Sequence, residues 1–252
     1  ALFTWKYWRM LAVLAFAGVV NSGVQTAVNL ALSQADLPRL GLAVATKQSA
    51  MPAAAMLGGI AVPALALTLG WRWAYAMGAL VALVAFGCVR TFIVDQPVTR
   101  ARSVSVVEST SRALAAATVV SMLLAFSSGA INAWTVSSGV DAGLSEGAAG
   151  LTLSLAAGMG IVFRLVAGTR VDASSRPPFH MAAQLYVIGI AGFVLLSLRV
   201  APIHAVATVL AFAGGWIWPV FTNFAIVNAN PRSAGAATGM TQMGVYVGVF
   251  SA

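Results

Sequence analysis

The sequence has very few charged side chains, and acidic ones are the scarcest. Six Asp and Glu accompany fourteen Lys and Arg in 252 residues, so that charged residues make up only 8% of the chain. Hydrophobic residues make up 60%, and the mean hydropathy is +0.91. Ordinary soluble domains carry about 25% charged residues. The composition therefore excludes an ordinary soluble domain.

Side chains that perform catalysis or bind metals are also scarce. The single cysteine, Cys88, lies in an apolar run and excludes a disulfide within the chain. His180 and His204 lie at the ends of apolar runs, and no cluster of His, Cys and carboxylates has the spacing of a metal site. No Walker-type phosphate loop is present, so we do not expect the chain to use ATP. The sequence predicts no catalytic residue, no metal and no cofactor.

Long uncharged runs dominate the chain. Each can hold the ~20 apolar residues that cross a hydrocarbon core of ~30 Å as a helix, and two shorter runs qualify if a terminal Arg snorkels to the interface. The pattern predicts an all-α polytopic membrane protein with about eight transmembrane helices. The runs are Leu11–Ala35, Gln48–Trp71, Ala113–Val140, Pro177–Leu198, Val200–Pro231 and Ser233–Ala252, with Trp73–Val89 and Gly147–Phe163 as the shorter pair.

The basic residues fall mainly on one side if every run crosses the membrane once. Four basic residues remain for the other side, which are Lys6, Arg9, Arg72 and Arg199. The positive-inside rule makes the richer side cytoplasmic, so the net charge of +8 reports topology rather than a nucleic-acid partner. The ten residues of the richer side are Arg39, Lys47, Arg90, Arg100, Arg102, Arg112, Arg164, Arg170, Arg176 and Arg232.

A weak internal repeat relates two stretches that lie 194 positions apart. When Val24–Gly58 is set beneath Trp218–Ala252 without gaps, Asn29 meets Asn223, Gly41 meets Gly235 and Gln48 meets Gln242. This period is far longer than a solenoid unit, and it fits two similar membrane halves that face a shared site at mid-membrane. A chance match is the alternative. The chain also begins without Met and ends inside an apolar run, so we expect an internal fragment of a larger transporter.

Polar side chains inside the apolar runs are the candidate binding residues. Asn21, Gln25 and Asn29 lie four apart and share one helical face, which must point at protein or water. They line a cavity or form hydrogen bonds between helices, and the sequence leaves both open. Lys47 either snorkels to the cytoplasmic side or faces a wet cavity, where it favours an anionic substrate. The remaining candidates are Gln48, Asn132, Trp218, Asn223, Thr241, Gln242 and Tyr246.

A second motif lies where the fifth span leaves the membrane. Gly160, Arg164, Gly168 and Asp172 are spaced four apart, and Arg170 lies between the last two. This pattern resembles the loop motif of the major facilitator superfamily. The stretches Gly41–Pro52, Gly70–Tyr75 and Gly235–Gln242 are also similar to bacterial members. An ordinary cytoplasmic loop with incidental glycines is the alternative for the motif.

The resemblance implies an alternating-access transporter with two six-helix bundles. Residues 1–94 would then be three helices of the first bundle, 95–112 the cytoplasmic linker and 113–252 five helices of the second, that is, helices four to eleven of twelve. The resemblance also implies a monomer in the bacterial inner membrane, with a small-molecule substrate and a coupling proton or ion left open. It assigns Gly160, Arg164, Gly168, Arg170 and Asp172 to a cytoplasmic gate rather than to the substrate site.

Three classes of function remain in competition. A secondary transporter of a small polar or anionic solute leads. An intramembrane enzyme is weaker, because the Ser-Gly pairs at 128–129 and 138–139 have no His or Lys partner at a matching depth. A channel-like or structural subunit would need no convergence of polar groups. Compared with the family that the chain resembles, Ala173 and Ser174 after Asp172 leave the charge network of the gate thin. The lack of an Arg near Leu14 and the weak glycine-rich pattern in Ala50–Pro63 argue against drug–proton antiport.

Overall fold

The computed structural model of the protein describes residues 2–34, 37–92, 110–230 and 233–252. Within these ranges every regular element is helical, which confirms the all-α prediction. Most of the predicted linker 95–112 lies outside the described residues, as do Asp36, Pro231 and Arg232.

Ten α-helices and two short π-helical segments make up the described chain. Seven helical segments are long and apolar enough to cross a membrane. The eighth predicted span corresponds to α10, whose 17 residues lie at the lower limit of a spanning helix. The helices are α1 (Leu2–Gln34), α2 (Leu40–Gln48), α3 (Ala50–Ala61), α4 (Trp71–Phe92), α5 (Ser111–Asp141), α6 (Glu146–Ala173), α7 (Pro178–Ser197), α8 (Ala201–Leu210), α9 (Trp218–Ala229) and α10 (Ala234–Phe250).

Proline and glycine interrupt two of the spans. One span is broken at Ser49, between α2 and α3, and continues as the π segment Val62–Ala66, which contains Pro63. Another passes from α8 through the π segment Ala211–Gly215 before α9 begins at Trp218. Proline removes a backbone donor and loosens a helix at these places. Both interruptions lie inside candidate membrane spans, where side chains can reach freed carbonyls.

The two parts of the chain on either side of residues 93–109 pack against each other. α2 and α3 lie along α6, and α1 lies along α10. Small residues permit this approach: a Cβ added at Gly59 would lie 3.0 Å from the backbone nitrogen of Ser154 on α6. α5 packs on α10 in the same way, because a Cβ at Gly248 would lie 2.9 Å from the backbone nitrogen of Phe126. Close backbone contact is the usual basis of helix association in membranes.

One face of the fold carries most of the described arginines. Successive spans run in opposite directions, so the C-terminal ends of α1, α4 and α6 lie at the same face as the N-terminal ends of α2 and α5. We call this the arginine-rich face. Its described arginines are Arg39, Arg90, Arg112, Arg170 and Arg176.

Candidate functional site

A small cavity lies between α1, α5, α9 and α10, with the α2–α3 break at its side. Seven of the eleven predicted binding residues line it: Asn21, Gln25, Gln48, Trp218, Asn223, Gln242 and Tyr246. Its volume of about 50 Å³ has room for a few water molecules. Ligand pockets are usually 300–1,000 Å³, so the cavity is constricted in this conformation.

A chain of hydrogen bonds borders the cavity on the side of the arginine-rich face. Lys47 Nζ donates to Asn29 Oδ1 at 3.0 Å, and Asn29 Nδ2 lies 3.5 Å from Asn223 Oδ1. Asn223 Nδ2 in turn donates to the carbonyl oxygen of Pro219 at 2.8 Å. Asn29 and Asn223 are the two asparagines that the repeat aligns. The equivalent positions of the two repeats therefore meet directly.

The opposite border of the cavity includes a contact between α1 and α10. Asn21 Nδ2 on α1 donates to the Tyr246 hydroxyl oxygen on α10 at 3.2 Å. Between this contact and the Asn29–Asn223 pair lies Gln25, whose Oε1 atom is buried and accepts no hydrogen bond from the described residues. A buried acceptor without a partner costs about 1–3 kcal/mol. Gln25 Oε1 is therefore positioned to accept a hydrogen bond from water or a solute.

Two tryptophans and a serine form the wall on the side of α5. Trp218 Nε1 donates to Ser128 Oγ at 2.9 Å, and Ser128 Oγ lies 3.2 Å from the carbonyl oxygen of Gly215. The sequence indicates Ser128 for helix packing or as a weak nucleophile candidate, and neither Ser128 nor Trp216 is among the predicted binding residues. The position of Ser128 within an uncharged span was the only sequence signal for a role here, and such serines are common in packed membrane helices.

Two predicted binding residues lie elsewhere. Asn132 is exposed and lies one turn beyond Ser128 on α5, outside the cavity lining. Thr241 is buried, and its hydroxyl lies within hydrogen-bond distance of the carbonyl oxygens of Ala237 and Thr238 in its own helix. Its neighbour Gln242 lines the cavity instead. Adjacent helical residues point about 100° apart, so only one of them can face the cavity.

Arg164 lies in the interior rather than at a membrane surface. Only 1% of its surface is exposed, although it belongs to the predicted gate. Its Nη1 atom donates to the carbonyl oxygen of Gln48 at 2.6 Å, and Nη2 donates to the carbonyl oxygen of Trp216. The guanidinium carbon is 5.0 Å from the centre of the Trp216 ring. Arg164 thus connects the break between α2 and α3 to the break that precedes α9.

A missing proline N–H frees one of the two carbonyls, and a tightened turn frees the other. Pro52 follows Gln48 by four positions and has no N–H with which to close the helical hydrogen bond. At the second break the N–H of Val220 donates to Ile217 at 3.1 Å rather than to Trp216, and position 219 is again proline. The planar guanidinium has several donors in a fixed fork. It therefore satisfies two carbonyls that the helices cannot satisfy themselves.

The other predicted gate residues divide into two places. Asp172 accepts hydrogen bonds from the backbone nitrogens of Gly41 at 2.6 Å and Leu42 at 2.9 Å, at the N-terminus of α2. A carboxylate is favourable there because of the helix dipole. Gly168 and Gly160 face the same neighbours: a Cβ at Gly168 would lie 2.7 Å from the Gly41 carbonyl oxygen, and one at Gly160 would lie 3.9 Å from Pro52. Arg170 instead lines a separate groove between α6 and α7.

Among the described residues no group of three His, Cys, Asp or Glu is placed to hold a metal ion.

The chain matches one protein family along its whole length. No curated protein and no solved structure matches the sequence significantly. The family model described as Major Facilitator Superfamily matches residues 1–252. This match agrees with the multi-pass helical fold and with a lipid bilayer as its surroundings, and the chain therefore belongs to the Major Facilitator Superfamily.

Proposed function

We propose that the protein is a secondary active transporter that moves a small polar or anionic organic solute by alternating access. The family is one of membrane transporters that bind small molecules rather than one of enzymes. In this proposal residues 1–94 belong to the first bundle and 113–252 to the second, and the arginine-rich face is cytoplasmic in a bacterial inner membrane.

The observation that carries this proposal is the contact of repeat-related amides beside the cavity. Asn29 and Asn223 lie within 3.5 Å of each other, and Gln48 and Gln242 both line the cavity. A site that two similar halves share at mid-membrane is expected of a carrier built from repeats. A structural subunit has no need to collect amides from both halves at one place.

The constricted cavity is consistent with a state closed towards the arginine-rich face. The bonds between Lys47, Asn29 and Asn223, and those of Asp172 with the start of α2, all lie on that side of the cavity. We propose that these contacts form one cytoplasmic gate. These hydrogen bonds must break before a solute can leave on that side. Each of them either joins the two halves of the chain or lies beside one that does.

The half-buried Lys47 supports an anionic group on the solute. Within the described residues no carboxylate forms an ion pair with Lys47, and its ammonium group donates to a neutral amide. An uncompensated charge inside a membrane is costly and typically marks a substrate or ion pathway. The unpartnered Gln25 Oε1 would accept a hydrogen bond from the same solute.

Counterflow in proteoliposomes tests the proposal with the full-length protein. Vesicles loaded with one member of a panel of small organic acids and neutral polar solutes are expected to exchange it saturably for the labelled solute. Gln242→Ala should abolish the exchange, because Gln242 lines the cavity. Met243→Ala is the matched control, since Met243 is the next residue and is 69% exposed. Equal exchange by both variants, or no saturable exchange of any solute, would contradict the proposal.

A further inference from the structure

A large groove lies in the second part of the chain and shares no lining residue with the cavity between the halves. Its volume is about 810 Å³, and it lies between α6, α7 and the span that contains α8 and α9. We call it the α6–α7 groove. None of the residues that line the central cavity lines it. Its function is therefore not that of the proposed substrate site.

The groove follows from how α7 crosses its neighbour. Near the middle of α7, a Cβ at Gly189 would lie 2.8 Å from the Cα of Gly215, and one at Gly192 would lie 2.8 Å from the Cα of Ala211. The helices touch backbone to backbone at these glycines. Towards the arginine-rich face α7 carries Met181 and Leu185 instead. Met181 and Leu185 line the groove on that side, together with Val166 and Ala167 of α6.

The two ends of the groove differ in chemistry. Arg170 and Arg176 lie at the mouth on the arginine-rich face, and both are exposed. Deeper in the groove the walls are apolar and partly exposed, with Phe163 at 36%, Val166 at 41% and Ile188 at 42%. No Asp or Glu lines the groove. Asp172, the carboxylate nearest to Arg170 in sequence, is bound to the start of α2.

We propose that the α6–α7 groove binds an anionic phospholipid, with its phosphate between Arg170 and Arg176 and an acyl chain along the apolar wall. Arginine is suited to phosphate because its planar fork can donate two parallel hydrogen bonds. The mouth lies at the level where lipid phosphates occur, since α6 leaves the membrane there. From Arg170 to Phe163 the wall extends about 10 Å along α6, which suits an acyl chain. A soluble anion would contact only the mouth and would leave the apolar wall empty.

This placement separates Arg170 from the rest of the loop motif. Gly168 and Asp172 contact the first part of the chain, whereas Arg170 lies on the opposite side of α6. Residues two apart are rotated by about 200° around the helix axis, so their side chains point to nearly opposite sides of the helix. One short segment therefore serves two neighbours, namely the start of α2 on one side and a lipid on the other.

Native mass spectrometry of the full-length protein, titrated with dioleoylphosphatidylglycerol and dioleoylphosphatidylcholine, tests the proposal. We expect at least one phosphatidylglycerol molecule to be retained preferentially. Each arginine near an anionic membrane surface contributes about a fivefold change in affinity. The double variant Arg170→Gln/Arg176→Gln should therefore bind phosphatidylglycerol about thirtyfold more weakly. The matched control is Arg90→Gln/Arg112→Gln, which removes the same charge from exposed positions on the same face outside the groove.

A second variant protects the test against misfolding of the first. Ala173→Glu places a negative charge at the exposed rim of the groove and leaves both arginines in place. It should also weaken retention of phosphatidylglycerol, with no change for phosphatidylcholine. Equal retention by wild type and both groove variants would overturn the proposal. So would equal retention of the two lipids by wild type, or displacement of phosphatidylglycerol by an equimolar amount of glycerol 3-phosphate, which would identify a site for a soluble anion.

Discussion

Replacement of Arg164 is expected to destabilise the protein through the backbone rather than through the loss of an ion pair. Its guanidinium donates to the carbonyl oxygens of Gln48 and Trp216, and only 1% of the Arg164 surface is exposed. A hydrogen bond from a charged donor is worth about 1.5–3 kcal/mol. Arg164→Met keeps most of the side-chain length but removes both bonds, so we expect the free energy of unfolding to fall by about 3–6 kcal/mol.

The lysine variant separates charge from geometry. Arg164→Lys keeps the positive charge but supplies one compact ammonium group in place of a planar fork. It can reach one of the two carbonyls, so about half of the loss should remain. Thermal unfolding in detergent, followed by tryptophan fluorescence, measures both variants. For a chain of this size about 1 kcal/mol corresponds to 2–4 °C, so Arg164→Met should lower Tm by at least about 6 °C. Arg112→Met, at an exposed position on α5, is the control.

A double-mutant cycle tests the role of proline directly. Pro52→Ala supplies the N–H that the carbonyl oxygen of Gln48 otherwise lacks. In the Pro52→Ala background, Arg164→Met should lower the free energy of unfolding by only about half as much as in the wild type. The reason is that one of the two acceptors is then satisfied within its own helix. Pro63→Ala changes a proline of the same span outside this contact and should leave the cost of Arg164→Met unchanged. An identical cost in all three backgrounds, or a Tm of Arg164→Met equal to that of the control, would refute the reasoning.

Two further predictions concern contacts between the two parts of the chain. Gly168→Ala should destabilise the protein by about 1–3 kcal/mol, because the new Cβ would lie 2.5 Å from the Cβ of Ala45. Gly78→Ala meets no atom within 4 Å and should leave Tm in detergent unchanged or slightly higher, because alanine favours a helix over glycine. A fall in Tm of the same size for both variants would contradict the packing argument. A double-mutant cycle of Asn29→Ala and Asn223→Ala should give a coupling energy of about 0.6 kcal/mol and at most about 1.7 in the unfolding free energy. Additivity within error would mean that the 3.5 Å contact contributes nothing.

The repeat in the sequence predicted the arrangement of the cavity better than any single motif did. Asn29, Gln48, Asn223 and Gln242 are amides at matching positions of two similar stretches, and internal symmetry brings such positions together. Helical spacing added Asn21 and Gln25, which share a face with Asn29. Asn132 had no repeat partner. A polar residue within a span does not by itself show how far the cavity extends along the membrane, so the sequence could not show that Asn132 lies outside the cavity.

The position of Arg164 could not be predicted from side-chain patterns. Its spacing from Gly160 and Gly168 placed it on the correct helical face, but its partners are main-chain carbonyls. Any residue can provide such a carbonyl, so the sequence of Gln48 or Trp216 gives no direct signal. Pro52 marks a helix break and implies that the Gln48 carbonyl is free, whereas the Trp216 carbonyl is free because Val220 donates to Ile217 instead. Which side chain reaches them depends on the packing of α2 and α9 against α6, and sequence spacing does not encode that.

The bond between Arg164 and Gln48 also has a consequence for biogenesis. The two residues are separated by 116 positions, and a ribosome adds about 5–20 residues per second. The carbonyl that Pro52 leaves open is therefore synthesised about 6–23 seconds before its guanidinium donor. Until then the carbonyl needs another hydrogen-bond donor, because an unsatisfied acceptor is costly in a bilayer. The bond from Arg164 can therefore form only after α6 has been synthesised.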